Sequence, residues 1–186
     1  MTATPQPASS PTRRIAIFLG LALAMALTRG HLRLTTHFDA LPDASWGVLF
    51  LAGFWLRGSA RWAFPLLFAE AVVIDYVVIT ASGISFWDHY CVSPAYWFLL
   101  PAYFCLWQGG SWLARHDRGL RLPTLGYAAV ALLLGEGLCY LLSNGSFYWL
   151  SAHVPQPRSL QAWAANLGDW YWLFLEGTVL YVAIGA

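Results

Sequence analysis

Six apolar stretches, parted by short polar breaks, leave this chain few ways to fold. They run at about 13 to 29, 43 to 58, 62 to 82, 94 to 113, 123 to 143 and 163 to 185. A helix of about 20 apolar residues, rising about 1.5 Å per residue, crosses the hydrocarbon layer of a bilayer. Hydrophobic residues make up 59% of the chain and charged ones only 10%, far below the roughly 25% charged share of a soluble domain. The expected fold is therefore an all-α integral membrane protein with one domain of six transmembrane helices over 13–186. It follows a tail at 1–12, MTATPQPASSPT, whose Pro, Ser and Thr content predicts disorder. The second stretch has a central apolar run only from Ala44 to Leu56, so it needs a thinned or protein-shielded region. Arg13 and Arg14 ahead of an apolar run imitate a signal peptide, but no small-residue cleavage site interrupts the run before Thr28 and Arg29. It reads as a retained first helix.

All ten basic residues are arginine and nine residues are acidic, for a net charge of +1. That balance offers neither a surface for nucleic acid nor an acidic tail. Arginine placement sets the orientation, because positive residues in short loops stay on the cytoplasmic side. With the N-terminus inside, the inner segments hold Arg13, Arg14, Arg57, Arg61, Arg115, Arg118 and Arg121, and the outer ones only Arg29, Arg33 and Arg158. Both termini are expected in the cytoplasm. The outer segments are then 30–42, with His31, His37 and Asp39, the break around Cys91, and 144–162, with Phe147, Tyr148, Trp149 and His153. Tyr and Trp anchor proteins at both bilayer interfaces, which predicts rough balance between the two sides. Their concentration on one side fits a ligand pocket, which is mostly apolar and aromatic with a few polar groups.

One break concentrates the chemistry: Trp87-Asp88-His89-Tyr90-Cys91-Val92-Ser93-Pro94-Ala95-Tyr96. Cys91 lies just before Pro94, at an expected helix start, where the N-terminal field lowers a thiol pKa and favours thiolate. No second cysteine shares its side, which leaves ligation, a covalent adduct or a buried thiol. Cys105 and Cys139 fall in mid-span, where a free cysteine packs as a small hydrophobe. No CxxC, HExxH, GxSxG or Gly-rich phosphate loop occurs in the sequence, so a closed structural zinc site and the common enzymatic motifs are not expected.

Besides Asp43 at the edge of the second stretch, five carboxylates lie within the apolar stretches: Glu70, Asp75, Glu136, Asp169 and Glu176. Such groups are costly in a membrane and face a bundle interior or a wet cavity. Asp75 and Asp169 stand near the outer ends, within reach of water or a helix cap, and Glu70 is expected to pair with Arg61 or Arg57. Glu136 and Glu176 are left to hydrogen-bond with Tyr and Ser neighbours or to relay protons. In the first stretch Ala16, Gly20 and Ala24 recur every fourth residue, a smooth face for close helix approach either within the bundle or by a partner. Gly109-Gly110, Gly135 and Gly137 are expected at internal contacts or helix ends.

Three segments together carry a family resemblance: Pro42-Asp43-Ala44-Ser45-Trp46 leading into Phe50-Leu51-Ala52-Gly53, Cys91-Val92-Ser93-Pro94-Ala95-Tyr96, and Pro101-Ala102-Tyr103. The chain resembles the BtuM family, small membrane proteins similar to the substrate-binding S-components of energy-coupling factor (ECF) transporters, with vitamin B12 as substrate. The resemblance implies an S-component-like six-helix bundle in a bacterial inner (cytoplasmic) membrane, with a cobalamin pocket at the outer face. It implies Cys91 as axial ligand to the corrin cobalt, with thiolate ligation promoting loss of cyanide from cyanocobalamin. It further implies that the Ala16, Gly20 and Ala24 face docks on the membrane coupling subunit of an ECF module, whose ATPases are separate chains. The candidate cobalamin-binding residues on this reading are Cys91, Asp75, Trp87, His89, Tyr90, Tyr96 and His37. A soft thiolate is a strong donor to cobalt and imidazole its natural competitor, so His89 is a second candidate ligand. Two rivals stand beside this reading. One is a membrane enzyme with Cys91 as nucleophile and His89 as base; the other is an assembly protein whose aromatic loops dock a partner.

Overall fold

A computed structural model of the chain describes residues 10–29, 42–117, 119 and 121–185. Among these it is built of helices: α1 (Pro11–Arg29), α2 (Ser45–Trp55), α3 (Ala60–Ala81), α4 (Leu99–His116), α5 (Leu122–Leu150) and α6 (Leu160–Gly185). Three short 3-10 helices punctuate the connections at Arg57–Ser59, Phe86–Asp88 and Pro94–Phe98.

Helix α1 starts at Pro11, two residues before the expected helix start at 13. The Ser10 hydroxyl accepts the Arg13 amide (3.3 Å), and Pro11 takes the first helical position, where its missing N–H has no partner to lose. Residues 1–9 lie outside the described part. Helix α5 is also longer than expected. It continues to Leu150, so Asn144 and Phe147, placed by the sequence reading in an outer segment, stand on a helix. Gly145 does not break that last stretch, because a Cβ there would lie 3.3 Å from the Trp163 ring of α6.

Three helical segments are long and apolar enough to cross a membrane: Pro11–Arg29, Arg57–Ala81 and Leu122–Leu150. Helix α2 is too short for a span, at 11 residues or about 16 Å. Its residues from Ser45 to Gly53 are all buried, so protein shields it, as its length requires. Helices α4 and α6 have the length, but Gln108, Ser111, Arg115 and His116 in the first, and Asn166, Asp169 and Glu176 in the second, dilute their apolar character.

Helix α4 holds the bundle together through two adjacent glycines that serve different neighbours. A Cβ on Gly110 would overlap the Phe50 carbonyl of α2, and one on Gly53 would overlap the Trp107 backbone of α4. The two backbones meet there, and the buried Ser111 hydroxyl donates to the Gly53 carbonyl (3.0 Å). One residue earlier, a Cβ on Gly109 would come within 2.9 Å of the Ala131 carbonyl of α5. Small residues that allow such approach are how helices pack where lipid removes the hydrophobic driving force. Gly135 shares in this contact, whereas Gly137 meets nothing within 4 Å and contributes no packing of this kind. Cys139 is fully buried in the main core with Leu49, Leu67, Leu106 and Trp107, as expected of a cysteine used as a hydrophobe.

Candidate ligand cavity at the Cys91 end

The C-terminal ends of α1, α3 and α5 and the N-terminal ends of α2 and α4 converge around the Cys91 segment. Between them lies an open cavity of about 480 Å³, and the chain from 86 to 98 forms part of its wall. Ser93 caps the 3-10 helix Pro94–Phe98 by accepting the Ala95 amide (3.2 Å). Two residues earlier, the Cys91 amide donates to His89 Nδ1 (3.3 Å). That bond makes Nδ1 the acceptor and leaves Nε2 to carry the ring proton.

Four of the expected site residues line this cavity: Cys91, His89, Asp75 and Tyr96. Trp87 and Tyr90 do not. Trp87 is 70% exposed and packs only the edge of Phe86, and Tyr90 is 56% exposed, with its ring against His89 (4.5 Å). The 3-10 turn at Phe86–Asp88 buries Phe86 in their stead, which turns its neighbours outward. His37 lies outside the described residues.

Cys91 departs from expectation in its acidity. The helix-start amide that would have favoured a thiolate is taken by Ser93, and burial pushes the Cys91 thiol up from its ordinary value, partly opposed by the Tyr90 hydroxyl. Without a ligand the site therefore holds a thiol at neutral pH. Among the described residues no hydrogen bond joins the Cys91 thiol to His89, and no group of three His, Cys, Asp or Glu side chains could hold a bare metal ion.

The main element that sequence reasoning missed is Arg29. Counted there only for topology, it is the last residue of α1, with 9% of its side chain exposed. Nε and Nη2 donate to the two oxygens of Asp75 (2.9 Å each), and Nη1 donates to Ser45 (2.9 Å), Tyr103 (2.9 Å) and Asp43 (3.3 Å). Tyr96 donates to the same Asp75 (2.7 Å). Asp75 is thus neither a cap nor a water-facing acid; it is the counter-ion of Arg29. Asp43 in turn accepts the Ser45 amide (2.9 Å) and hydroxyl (2.6 Å), which fixes the start of α2. One guanidinium between two carboxylates leaves this wall with an excess of negative charge. A partial signal was available, since Asp43, Ser45 and Tyr103 all fall in the segments that carry the family resemblance.

The opposite wall is aromatic and amide-bearing. Trp46 stacks on Phe174 (4.7 Å, 21°) and meets the edge of Tyr140 (6.4 Å). Asn144 accepts from the Trp163 indole (3.1 Å) and donates to Asn166 (2.9 Å), so α5 and α6 are joined beside the cavity. Apolar walls with a few oriented polar groups are what a small-molecule site requires.

The remaining acids behave differently. Glu136 is fully buried, and neither carboxyl oxygen has a hydrogen-bond partner among the described residues. The expected Tyr or Ser partner is absent, and the hydroxyl of nearby Thr178 donates instead to the Phe174 carbonyl (2.9 Å). The expected pairing of Glu70 with Arg57 or Arg61 does not form either; Arg57 donates to the Ala114 carbonyl (2.8 Å). On α1, Ala16 and Gly20 are exposed, with nothing within 4 Å of a Cβ at Gly20, while Ala24 packs against the main core.

No family model matches the chain, and no curated protein matches it.

Proposed function

We propose that this chain is a membrane-embedded binding protein for a corrinoid, vitamin B12, with the Cys91 sulfur as axial ligand to the cobalt. The observation that carries the reading is the placement of Cys91 and His89, a soft donor and its imidazole competitor, in one cavity with aromatic and amide-bearing walls. A single axial donor suffices for a metal that the ligand itself brings in, so the site needs no cluster of protein ligands. The cavity volume suits a drug-sized molecule. A corrinoid is larger, so the ring would present one face to Cys91 and extend beyond the cavity.

Ligation exchanges the thiol proton for cobalt. With cyanocobalamin the sulfur–cobalt bond forms as the cobalt–cyanide bond breaks, and cyanide leaves with the thiol proton as hydrogen cyanide. No electron is transferred. Where water rather than cyanide leaves the cobalt, the thiol proton goes to solvent instead; because the thiol pKa is raised by burial, sulfur ligation then strengthens about tenfold per pH unit below that pKa and levels off above it.

The finer topology belongs to the same proposal: six helices in a bacterial inner membrane, both termini cytoplasmic, and the Cys91 cavity facing outward. So does the transport role, in which the open Ala16 and Gly20 face of α1 docks on the coupling subunit of an ECF module. The rival reading of a Cys91 nucleophile with His89 as base is weaker, because His89 Nδ1 is engaged by the Cys91 amide and the thiol is held protonated.

The absorption spectrum of protein purified after growth with B12 tests the proposal. The protein should be coloured, with a cobalt–sulfur band that grows from pH 6 to pH 8. Cys91→Ala should lose that band and any cyanide release, while Cys105→Ala keeps both. A colourless wild type rules out the reading, and an unchanged Cys91→Ala spectrum moves the ligand to His89.

A further inference from the structure

A second cavity, of about 400 Å³, runs along the seam of α4 and α5 and shares no residue with the first. Cys105, Gly109 and Gly135 form its floor, and exposed Phe104, Leu134 and Leu138 form its rims. Its lining is mostly apolar, apart from the Gln108 amide, until one end, where Arg115 closes it. The Arg115 Nε donates to the Ser111 carbonyl (3.2 Å), and its Nη groups have no partner among the described residues. Beside that end Trp112, His116 and Tyr127 form a ring cluster, with centroids 4.3 to 5.8 Å apart. Such aromatics mark the headgroup depth of a bilayer.

From Phe104 to Arg115 α4 rises about 16 Å, close to the depth of one leaflet's hydrocarbon, about 15 Å. A groove of that length, ending at a guanidinium whose Nη groups are unpaired among the described residues, matches one lipid molecule. We propose that it binds a single anionic phospholipid, with an acyl chain on the glycine floor and the phosphate on Arg115. Guanidinium and phosphate pair through two parallel hydrogen bonds. A partner helix is the poorer match, because close helix approach relies on small residues on an open face. The small size of Gly109 and Gly135 is already taken up by contact between α4 and α5.

The test uses the purified full chain, delipidated and then offered phosphatidylglycerol or phosphatidylcholine of the same acyl composition, with retention read by native mass spectrometry. The wild type should keep one phosphatidylglycerol, preferred about fivefold, which is what one basic residue near an anionic surface contributes. Arg115→Gln should bring the preference to about one, and Arg115→Lys should restore most of it. Bound lipid should also slow alkylation of Cys105 by an apolar maleimide, located by peptide mass. If Arg115→Gln does not fold, Leu134→Trp, at an exposed rim position, must fill the groove and expel the lipid. Equal retention of both lipids by the wild type overturns the proposal, as does a preference that survives Arg115→Gln. Protection of Cys105 by glycerol 3-phosphate alone, or by dimerisation, overturns it in favour of a free phosphate or a second copy.

Discussion

Arg29 and Glu136 are both ionisable side chains taken out of water by the same bundle, and they are accommodated in opposite ways. All three guanidinium nitrogens of Arg29 donate to partners, two of them carboxylates that bring compensating charge. The Glu136 carboxyl, on α5, makes no hydrogen bond among the described residues, and the Thr178 hydroxyl beside it is spent on the Phe174 carbonyl. A buried charge is tolerable when paired and fully hydrogen-bonded, and costly when left alone. The Arg29 cluster also ties α1 to α2, α3 and α4 at the cavity wall, so its geometry is set by four elements at once. Glu136 is held by packing alone. The contrast separates a charge that organises the site from one that the fold merely contains.

Removing Arg29 should have the largest effect. Arg29→Ala leaves the mostly buried Asp75 without its counter-ion, and breaking a buried pair costs about 3–5 kcal/mol, less here because Asp43 reaches water. Thermal unfolding in detergent should fall accordingly, and Asp75→Asn introduced into Arg29→Ala should recover part of the loss by removing the orphaned charge. Equal stability of Arg29→Ala and wild type would remove the distinction drawn here. Glu136→Gln should move the other way and less. Taking away an ionisable group without a partner is expected to be neutral or stabilising, by about 1 kcal/mol. A marked loss of stability would mean that the carboxyl is engaged after all, while intact stability with failed uptake would give Glu136 a proton-coupling role. The smallest change in stability is expected for Gly20→Leu, within about 0.5 kcal/mol, because nothing lies within 4 Å of its Cβ position. Its effect should appear only in B12-dependent growth, lost while the purified protein still binds corrinoid. Unimpaired growth would show that this stretch of α1 docks on nothing that matters for uptake. Ala24 is unsuitable for that test, because it already packs into the core.

Much of the architecture was legible because membrane segments advertise themselves by composition. The stretches at 62–82 and 123–143 fall on α3 and α5, and the short 43–58 stretch falls on a helix that protein buries from Ser45 to Gly53. The errors lie where a local interaction overrides composition: the Ser10 and Pro11 cap that starts α1 early, and the Trp163 contact that lets α5 run on through Gly145. Of the expected site residues, Cys91 and His89 do line the cavity; they were legible as candidates because a reactive pair two residues apart stands out in an apolar chain. Their companions Trp87 and Tyr90 do not line the cavity, because adjacency in sequence does not say which way a turn points its side chains.

By itself the sequence determined an all-helical chain with segments fit for a bilayer, the short inner helix, and a Cys91 segment as the place where chemistry concentrates. Those properties follow from hydropathy, segment length and residue type, which need no partner to be defined. Only the tertiary structure decided that Arg29, read as a loop charge, is the counter-ion of Asp75, 46 residues away. Only it decided that Gly109 and Gly110 face different helices, that burial raises the Cys91 thiol pKa, and that the Glu136 carboxyl makes no hydrogen bond among the described residues. Each of these depends on which groups from distant segments share a neighbourhood with little water, where hydrogen bonds and charge compensation must be found within the protein.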